Sequence, residues 1–458
     1  MVVSVVFTMI IAAAAWLPVV LACIETIFRK QEEKGDAAYS PIPYVVGGAL
    51  ALGVQALAGH PEITVITLLT AGFYTLARLL MSWRRLGSVG RPLRLAGWLL
   101  AMVALGLALG GVQLVPLFEL VNTSFRQGSA SFSEVVGWAW PTRQIVTFLL
   151  PDFFGNPSQH GWWDPALRAW RTAGPNAAGQ PVRDVFWGVK NYVEGGNYLG
   201  VITLVLAAMA LLGTARKRGG ERERGRGGER ERGSEGAVDG RLVWLLAGLA
   251  LISLLFAFGT PLYALLFYGV PGYKQLHSAF RWVFPYTVAM TALAGFGLQW
   301  LLGAAQQSGL GRETGPSAVG QLAVNSEQST VHSSRFTFHV SRFIAYGLLL
   351  IGLALLAAAL LSLAVPGPFH ALGQRVVDSS DLARAVFAGG ADFWGYQWRN
   401  VVHLGLFTLL AGLWLLTVLC RSARLAIVHR SSFIVQPSAF LAAAALLLLL
   451  LDLWLVLG

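Results

Sequence analysis

Charge is scarce in this sequence. Asp, Glu, Lys and Arg make up 12% of its 458 residues, against about 25% in a soluble domain, while 55% of the chain is hydrophobic. A water-soluble globule of this length cannot hide that much apolar surface, so the composition points to a polytopic membrane protein. Cysteine is nearly lacking too. Cys23 and Cys420 both lie in or at the end of apolar stretches, which excludes a disulfide framework and a thiolate metal site. Also missing are a Walker loop, a dinucleotide fingerprint, an HExxH pair and a serine nucleophile elbow, so ATP hydrolysis by this chain is disfavoured. The 34 Lys and Arg exceed the 23 Asp and Glu. In a soluble protein that excess would suggest nucleic acid; in a membrane protein it reports orientation, and no nucleic-acid partner is expected.

Segments long enough to cross roughly 30 Å of hydrocarbon as helix fall at 1–27, 44–59, 63–83, 95–121, 197–214, 241–259, 281–303, 342–365, 399–421 and 437–457. The expected fold is therefore all-α, with about ten transmembrane helices. The first four occupy 1–121, followed by an outer loop over 122–196 and the fifth over 197–214. A cytoplasmic linker, 215–240, leads to the sixth and seventh over 241–303, and a second linker, 304–341, leads to the last three over 342–458. With the N-terminus outside, 22 cations sit on the inner connections and 11 on the longer outer ones, which favours that orientation. The first linker repeats GGERERG at 219–225 and 227–233; glycine and alternating charge cannot bury a core, so it reads as disordered.

The loop over 122–196 holds six of the sixteen tryptophans. It reads as a membrane-surface segment with short helices such as 141–150, either anchoring at headgroup level or walling a site.

Chemistry is expected where ionisable groups meet the outer ends of spans. In the turn Gly59, His60, Pro61, Glu62, the His and Glu could orient a hydroxyl or act as base, or simply cap a hairpin. In QLVPLFELVNTSFR, Gln113 and Glu119 share a helical face bent by Pro116, and Arg126 could pair with Glu119. PDFFGNPSQHGWWDP sets Asp152, Asn156, His160 and Asp164 among aromatic rings, a composition suited to sugars and equally to a surface turn. Tyr273, Lys274, His277 and Arg281 could bind a lipid phosphate or snorkel to headgroups. No ligand spacing argues for a metal, although a divalent cation through Asp152, Asp164 or Glu62 is compatible with the residues present.

Five stretches in order carry a family resemblance: AAWLPVVLACIE near the start, AGHPE at 58–62, QLVPLFELVNTSFR at 113–126, LLPDFFGNP at 149–157 with NYVEGGNYLG at 191–200, and FGTPLYALLFYGVPGYKQLHSAFR at 258–281. Together they resemble the YfhO family of bacterial membrane proteins, of the GT-C type of polyprenyl-phosphate-dependent glycosyltransferase fold. The resemblance covers most of residues 10–300. It implies a GT-C-like protein of the bacterial inner membrane whose partners are membrane lipid, a polyprenyl-phosphate sugar donor and a glycopolymer or glycolipid acceptor. Glu119, Asp152 and Glu62 are then the candidate catalytic carboxylates. Arg126, Lys274 and Arg281 are candidate phosphate contacts, and His60, His160, Asn156 and Asp164 candidate substrate contacts. Family members are longer at both ends and more often carry Gln where Glu62 stands. The chain is therefore expected to be a fragment or split partner without the principal catalytic carboxylate. A non-catalytic scaffold and a flippase or transporter of lipid-linked saccharide are the alternative functions.

Overall fold

The computed structural model describes residues 8–34, 40–86, 90–123, 130–192, 194–223, 239–276, 278–310, 324–424 and 437–457. Helices α1 (Thr8–Ala14), α2 (Leu17–Lys34), α3 (Ile42–Leu57), α4 (Pro61–Leu86), α5 (Gly90–Leu109), α6 (Gly111–Thr123) and α7 (Phe132–Gly137) precede a two-stranded ribbon, β1 (Gly161–Asp164) and β2 (Ala169–Thr172). Then come α8 (Val201–Glu223), α9 (Gly240–Ala257), α10 (Ala264–Gly269), α11 (Val283–Leu310), α12 (Val324–Ala364), α13 (Pro366–Asp378), α14 (Asp381–Arg384), α15 (Gly390–Arg424) and α16 (Pro437–Leu457).

Among the described residues seven helical segments are long and apolar enough to cross a membrane: Thr8–Glu33, Pro61–Trp83, Gly90–Leu109, Gly240–Ala257, Val340–Ala364, Gly390–Cys420 and Ala439–Val456. The chain is a multi-pass, mostly helical membrane protein. Two further expected spans are shorter apolar helices, Ile42–Leu57 and Val201–Ala215. The expected span at 281–303 lies largely within the 28-residue α11, Val283–Leu310. The fourth is divided at Gly110 into α5 and α6. Pro116 sits inside α6 and has no N–H to return to the preceding turn. The two expected linkers are helical at their ends, where α8 runs on to Glu223, α11 to Leu310 and α12 begins at Val324. Residues 224–238 and 311–323 lie outside the described residues, as do Arg126 and His277.

The chain divides into two compact units, Met1–Trp140 with Trp244–Met290, and Pro141–Val243 with Thr291–Gly458. In the first, α3 and α5 approach closely through small residues. A Cβ on Gly106 would lie 2.6 Å from the Leu52 Cβ, and one on Gly53 would lie 2.7 Å from the Leu109 Cβ, so Gly106 and Gly110 form a close-packing pair of the GxxxG kind. The break between α1 and α2 frees the Ala13 carbonyl from the helical ladder. Buried Gln55 donates to it at 2.7 Å and to Thr67 Oγ1 at 2.9 Å, which satisfies a polar group where water is scarce. Further along α4, Arg78, 3% exposed, meets Glu25 of α2 at 2.8 Å and Glu32 at 3.6 Å.

In the second unit α8, α11, α12, α15 and α16 share one apolar core built on Met209, Ala345, Ala411, Leu415 and Val418. Gly352, Gly405 and Gly412 let α12 and α15 lie backbone to backbone. A second, aromatic core joins Phe154, Trp162 and Trp187 to Phe387, Phe393 and Tyr396. The connections before α8 and after α12 thus form one folded layer. Of the loop tryptophans expected at the headgroups, Trp138, Trp163 and Trp170 are exposed, whereas Trp140, Trp162 and Trp187 are core residues.

Candidate functional site

The ribbon and the segments around it place a carboxylate where water does not reach. Asp152 is 1% exposed. Tyr192 donates its hydroxyl to Asp152 Oδ1 at 2.9 Å, and Arg399 on α15 donates to Oδ2 at 3.0 Å. Asn156 donates to the Tyr192 oxygen at 3.1 Å, while its own carbonyl accepts from the Ser158 backbone and hydroxyl. Burial pushes the Asp152 carboxyl pKa up; the Tyr192 hydrogen bond and the Arg399 charge act against that shift. Burial and the adjacent carboxylate raise the Tyr192 phenol, which stays a protonated donor. The Arg399 side chain is 54% exposed and that of Asp152 2%, so the pair has a buried member and an open one.

One helical turn beyond Arg399, His403 lies on the same face of α15 and extends this polar track inward. Its Nε2 meets Asp452 Oδ1 at 2.7 Å. Tyr198 donates to the same oxygen at 2.6 Å, and the Val201 backbone N–H, at the start of α8, donates to Oδ2 at 2.9 Å. Gly200 makes the approach possible: it has φ +83°, and a Cβ there would lie 3.3 Å from Asp452 Oδ2 and 2.6 Å from Leu449. Tyr192, Tyr198, Arg399, His403 and Asp452 were not among the expected site residues. The available signals were a single carboxylate in the long apolar run of α16, an Arg and a His four apart in WRNVVH, and the two tyrosines of NYVEGGNYLG.

The first unit gathers a different set. Glu62 is paired with Arg281 Nη1, two residues expected from separate stretches. Close by, the Tyr273 hydroxyl accepts from Trp282 Nε1 at 2.7 Å, and burial pushes the Tyr273 phenol up to about 12. His60 Nδ1 accepts from the Ile63 N–H at 3.3 Å, at the entry to α4. Burial, followed by the charge of Arg281, pushes the His60 pKa down to about 4.

That shift sets a pH dependence. The unfolded chain takes up a proton near 6.5, the folded one not until about 4. The contribution of neutral His60 is thus complete above about 6.5 and is lost as the pH falls towards 4. Melting temperatures of purified protein measured between pH 7 and 4 should fall more steeply for the wild type than for His60→Gln; parallel slopes would remove His60 as a source of the trend.

The remaining candidates are dispersed. Glu119 is exposed on α6, and its expected partner Arg126 is outside the described residues. Lys274 is exposed and lies over the rings of Phe267 and Tyr268, 5.8 and 5.6 Å from their centroids. His160 Nδ1 contacts the Arg183 carbonyl at 2.8 Å, a tie across the loop. Asp164 accepts from the Ala166 and Leu167 N–H groups, closing the ribbon turn.

Among the described residues no three His, Cys, Asp or Glu side chains converge as a metal shell. Of the carboxylates considered for a divalent cation, Asp152 and Glu62 are each tied to an arginine, and Asp164 lies 3.6 Å from Arg171. A cation in any of these places would face a guanidinium, so the donor set does not fit one. No protein-family model, curated protein or solved structure matches this chain.

Proposed function

We propose that this protein takes part in transferring a sugar from a polyprenyl-phosphate sugar to a cell-envelope glycopolymer or glycolipid, at the outer face of the bacterial cytoplasmic membrane. The observation that carries this reading is Asp152, a buried carboxylate of raised pKa held by a tyrosine and by a half-exposed arginine. The motifs around it are those of the YfhO and GT-C resemblance. In the proposed reaction Asp152 takes the proton of the acceptor hydroxyl as that oxygen bonds to the anomeric carbon. The bond from that carbon to the phosphate oxygen breaks, and its electron pair leaves with the lipid phosphate. Arg399 can face that phosphate, which would also loosen its hold on Asp152. Glu62 is a further proposed carboxylate of the reaction, and Arg281 and Lys274, on its aromatic pair, are further proposed contacts for phosphate.

Transfer from a polyprenyl-phosphate sugar, followed with the full chain in vesicles, tests this. Asp152→Asn should lower the rate per folded protein by about 10²-fold or more, more than any loss of stability accounts for. Undiminished transfer would remove Asp152 from the site. A wild type that transfers nothing would overturn the transfer reading, and a scaffold role would then remain.

A second reading, a flippase for lipid-linked saccharide, is favoured by Asp452, His403 and Arg399, since ionisable groups inside spans tend to mark substrate or ion paths. Movement of labelled donor between leaflets without chemical transfer would select it.

A further inference from the structure

A cleft of about 120 Å³ opens beside the ribbon, between its turn and the ends of α12, α13 and α15. Trp394, Trp398, Asp164, Arg171 and His370 of α13 are among the residues that line it. This is the composition of a small-molecule site, largely apolar faces with a few convergent polar groups. Three further observations narrow the ligand.

First, the indole N–H groups of Trp162 and Trp394 are buried and meet no acceptor among the described residues. Such a group can only donate, and leaving it unmatched is costly. Of the two, Trp394 lines the cleft, together with Gly395 and with Asp164, whose Oδ2 would lie 3.2 Å from a Cβ on Gly395. Second, Asp164 is 5% exposed, and its Oδ1 is already engaged by two backbone N–H groups. Among the described residues Oδ2 has only Arg171, at 3.6 Å, and can accept from a hydroxyl. Third, the charge balance opposes an anion. Among the described residues that line the cleft Arg171 is the lone cation; it faces Asp164 and is paired with Asp392, just outside, at 2.5 Å, so a phosphate would meet an arginine already taken by two carboxylates.

We infer that this cleft binds a pyranose ring, uncharged or bearing an amino group, through indole faces and hydroxyl contacts, and does not bind the phosphate of a lipid carrier. The inference rests on the proposed sugar chemistry for its ligand, and gives that chemistry a place separate from Asp152.

Binding can be read directly, without turnover. Full-length protein in nanodiscs is titrated with methyl glucoside, methyl glucosaminide and inorganic phosphate, with tryptophan fluorescence and saturation-transfer NMR as readouts. At least one glycoside should bind and phosphate should not. Trp394→Phe keeps a ring against Phe369, which lies 4.8 Å from it, but loses the indole, and should weaken binding about 5- to 10-fold. His370→Ala, on the short α13 and outside both cores, should weaken it without altering the melting temperature, so a folding defect in one variant leaves the other informative. Phosphate binding in place of sugar, or wild-type affinity in both variants, would overturn the cleft assignment. Glycoside binding by a chain that transfers nothing would uphold the cleft while the transfer reading failed.

Discussion

Arg78→Ala is expected to destabilise the protein by about 3 to 5 kcal/mol, the range for removing one partner of a buried ion pair. Arg78 is 3% exposed on α4. Its guanidinium donates Nε to Glu25 Oε2 at 2.8 Å and Nη2 to Glu25 Oε1 at 3.3 Å, a two-pronged pairing that lysine could not reproduce. It also lies 3.6 Å from Glu32, and its flat face covers Phe28 at 5.2 Å. Truncation leaves two carboxylates on α2 facing an empty space, with the Tyr74 and Ser82 hydroxyls as remaining partners. The penalty is chiefly that of the uncompensated Glu25 charge, so Glu25→Gln in the same chain should recover a substantial part of it. A double-mutant cycle on unfolding in detergent measures the coupling. Additive losses, or a single-variant loss within about 0.5 kcal/mol of zero, would show that the pair stabilises nothing.

Arg78 also illustrates what the sequence could and could not disclose. An arginine inside an apolar run is visible by inspection, but its partners sit more than 40 positions earlier, on another helix, and no periodicity within either helix links them. The same holds for Glu62 and Arg281, each recognisable as a polar group at the end of an apolar segment, and paired across 219 positions. Local signals were read more fully. The apolar runs became helices, Pro61 opened α4, Gly59 took the left-handed conformation at φ +77°, and Gly106 and Gly110 supplied a close helix contact. The loop over 122–196 was harder to read. Its tryptophans suggested the membrane surface because amphipathic rings favour that level, yet Trp162 and Trp187 are buried by residues from beyond α12, a tertiary partner that the loop's own composition does not announce. Asp152 was legible as a carboxylate among aromatics. Arg399, 247 positions away, was not.

Asp452→Ala should cost about 3 to 5 kcal/mol as well, because one carboxylate completes three donors. In a helix of otherwise apolar residues, Asp452 is 1% exposed and accepts from the Tyr198 hydroxyl and the Val201 N–H while holding His403 Nε2. The Val201 N–H belongs to the first turn of α8, where helix N–H groups have no intrahelical acceptor and a negative charge is favoured. Alanine therefore exposes a helix start, a phenol and an imidazole to an apolar surrounding in one step, with no water to replace the lost acceptor. Asp452→Asn retains one carbonyl acceptor and should recover part of the loss, whereas Asp452→Leu, which keeps the branching at Cγ but has no acceptor, should not. The order of melting temperatures is then wild type, Asn, and last Ala and Leu together. Leu at or above Asn would show that packing, not acceptance of these three donors, is what Asp452 contributes. The same series bears on the site, since His403 stands one turn from Arg399. If the Asn variant keeps its fold but shifts the pH profile of sugar transfer, His403 acts on Asp152 through its charge; an unchanged profile confines the Asp452 cluster to holding α8, α15 and α16 together.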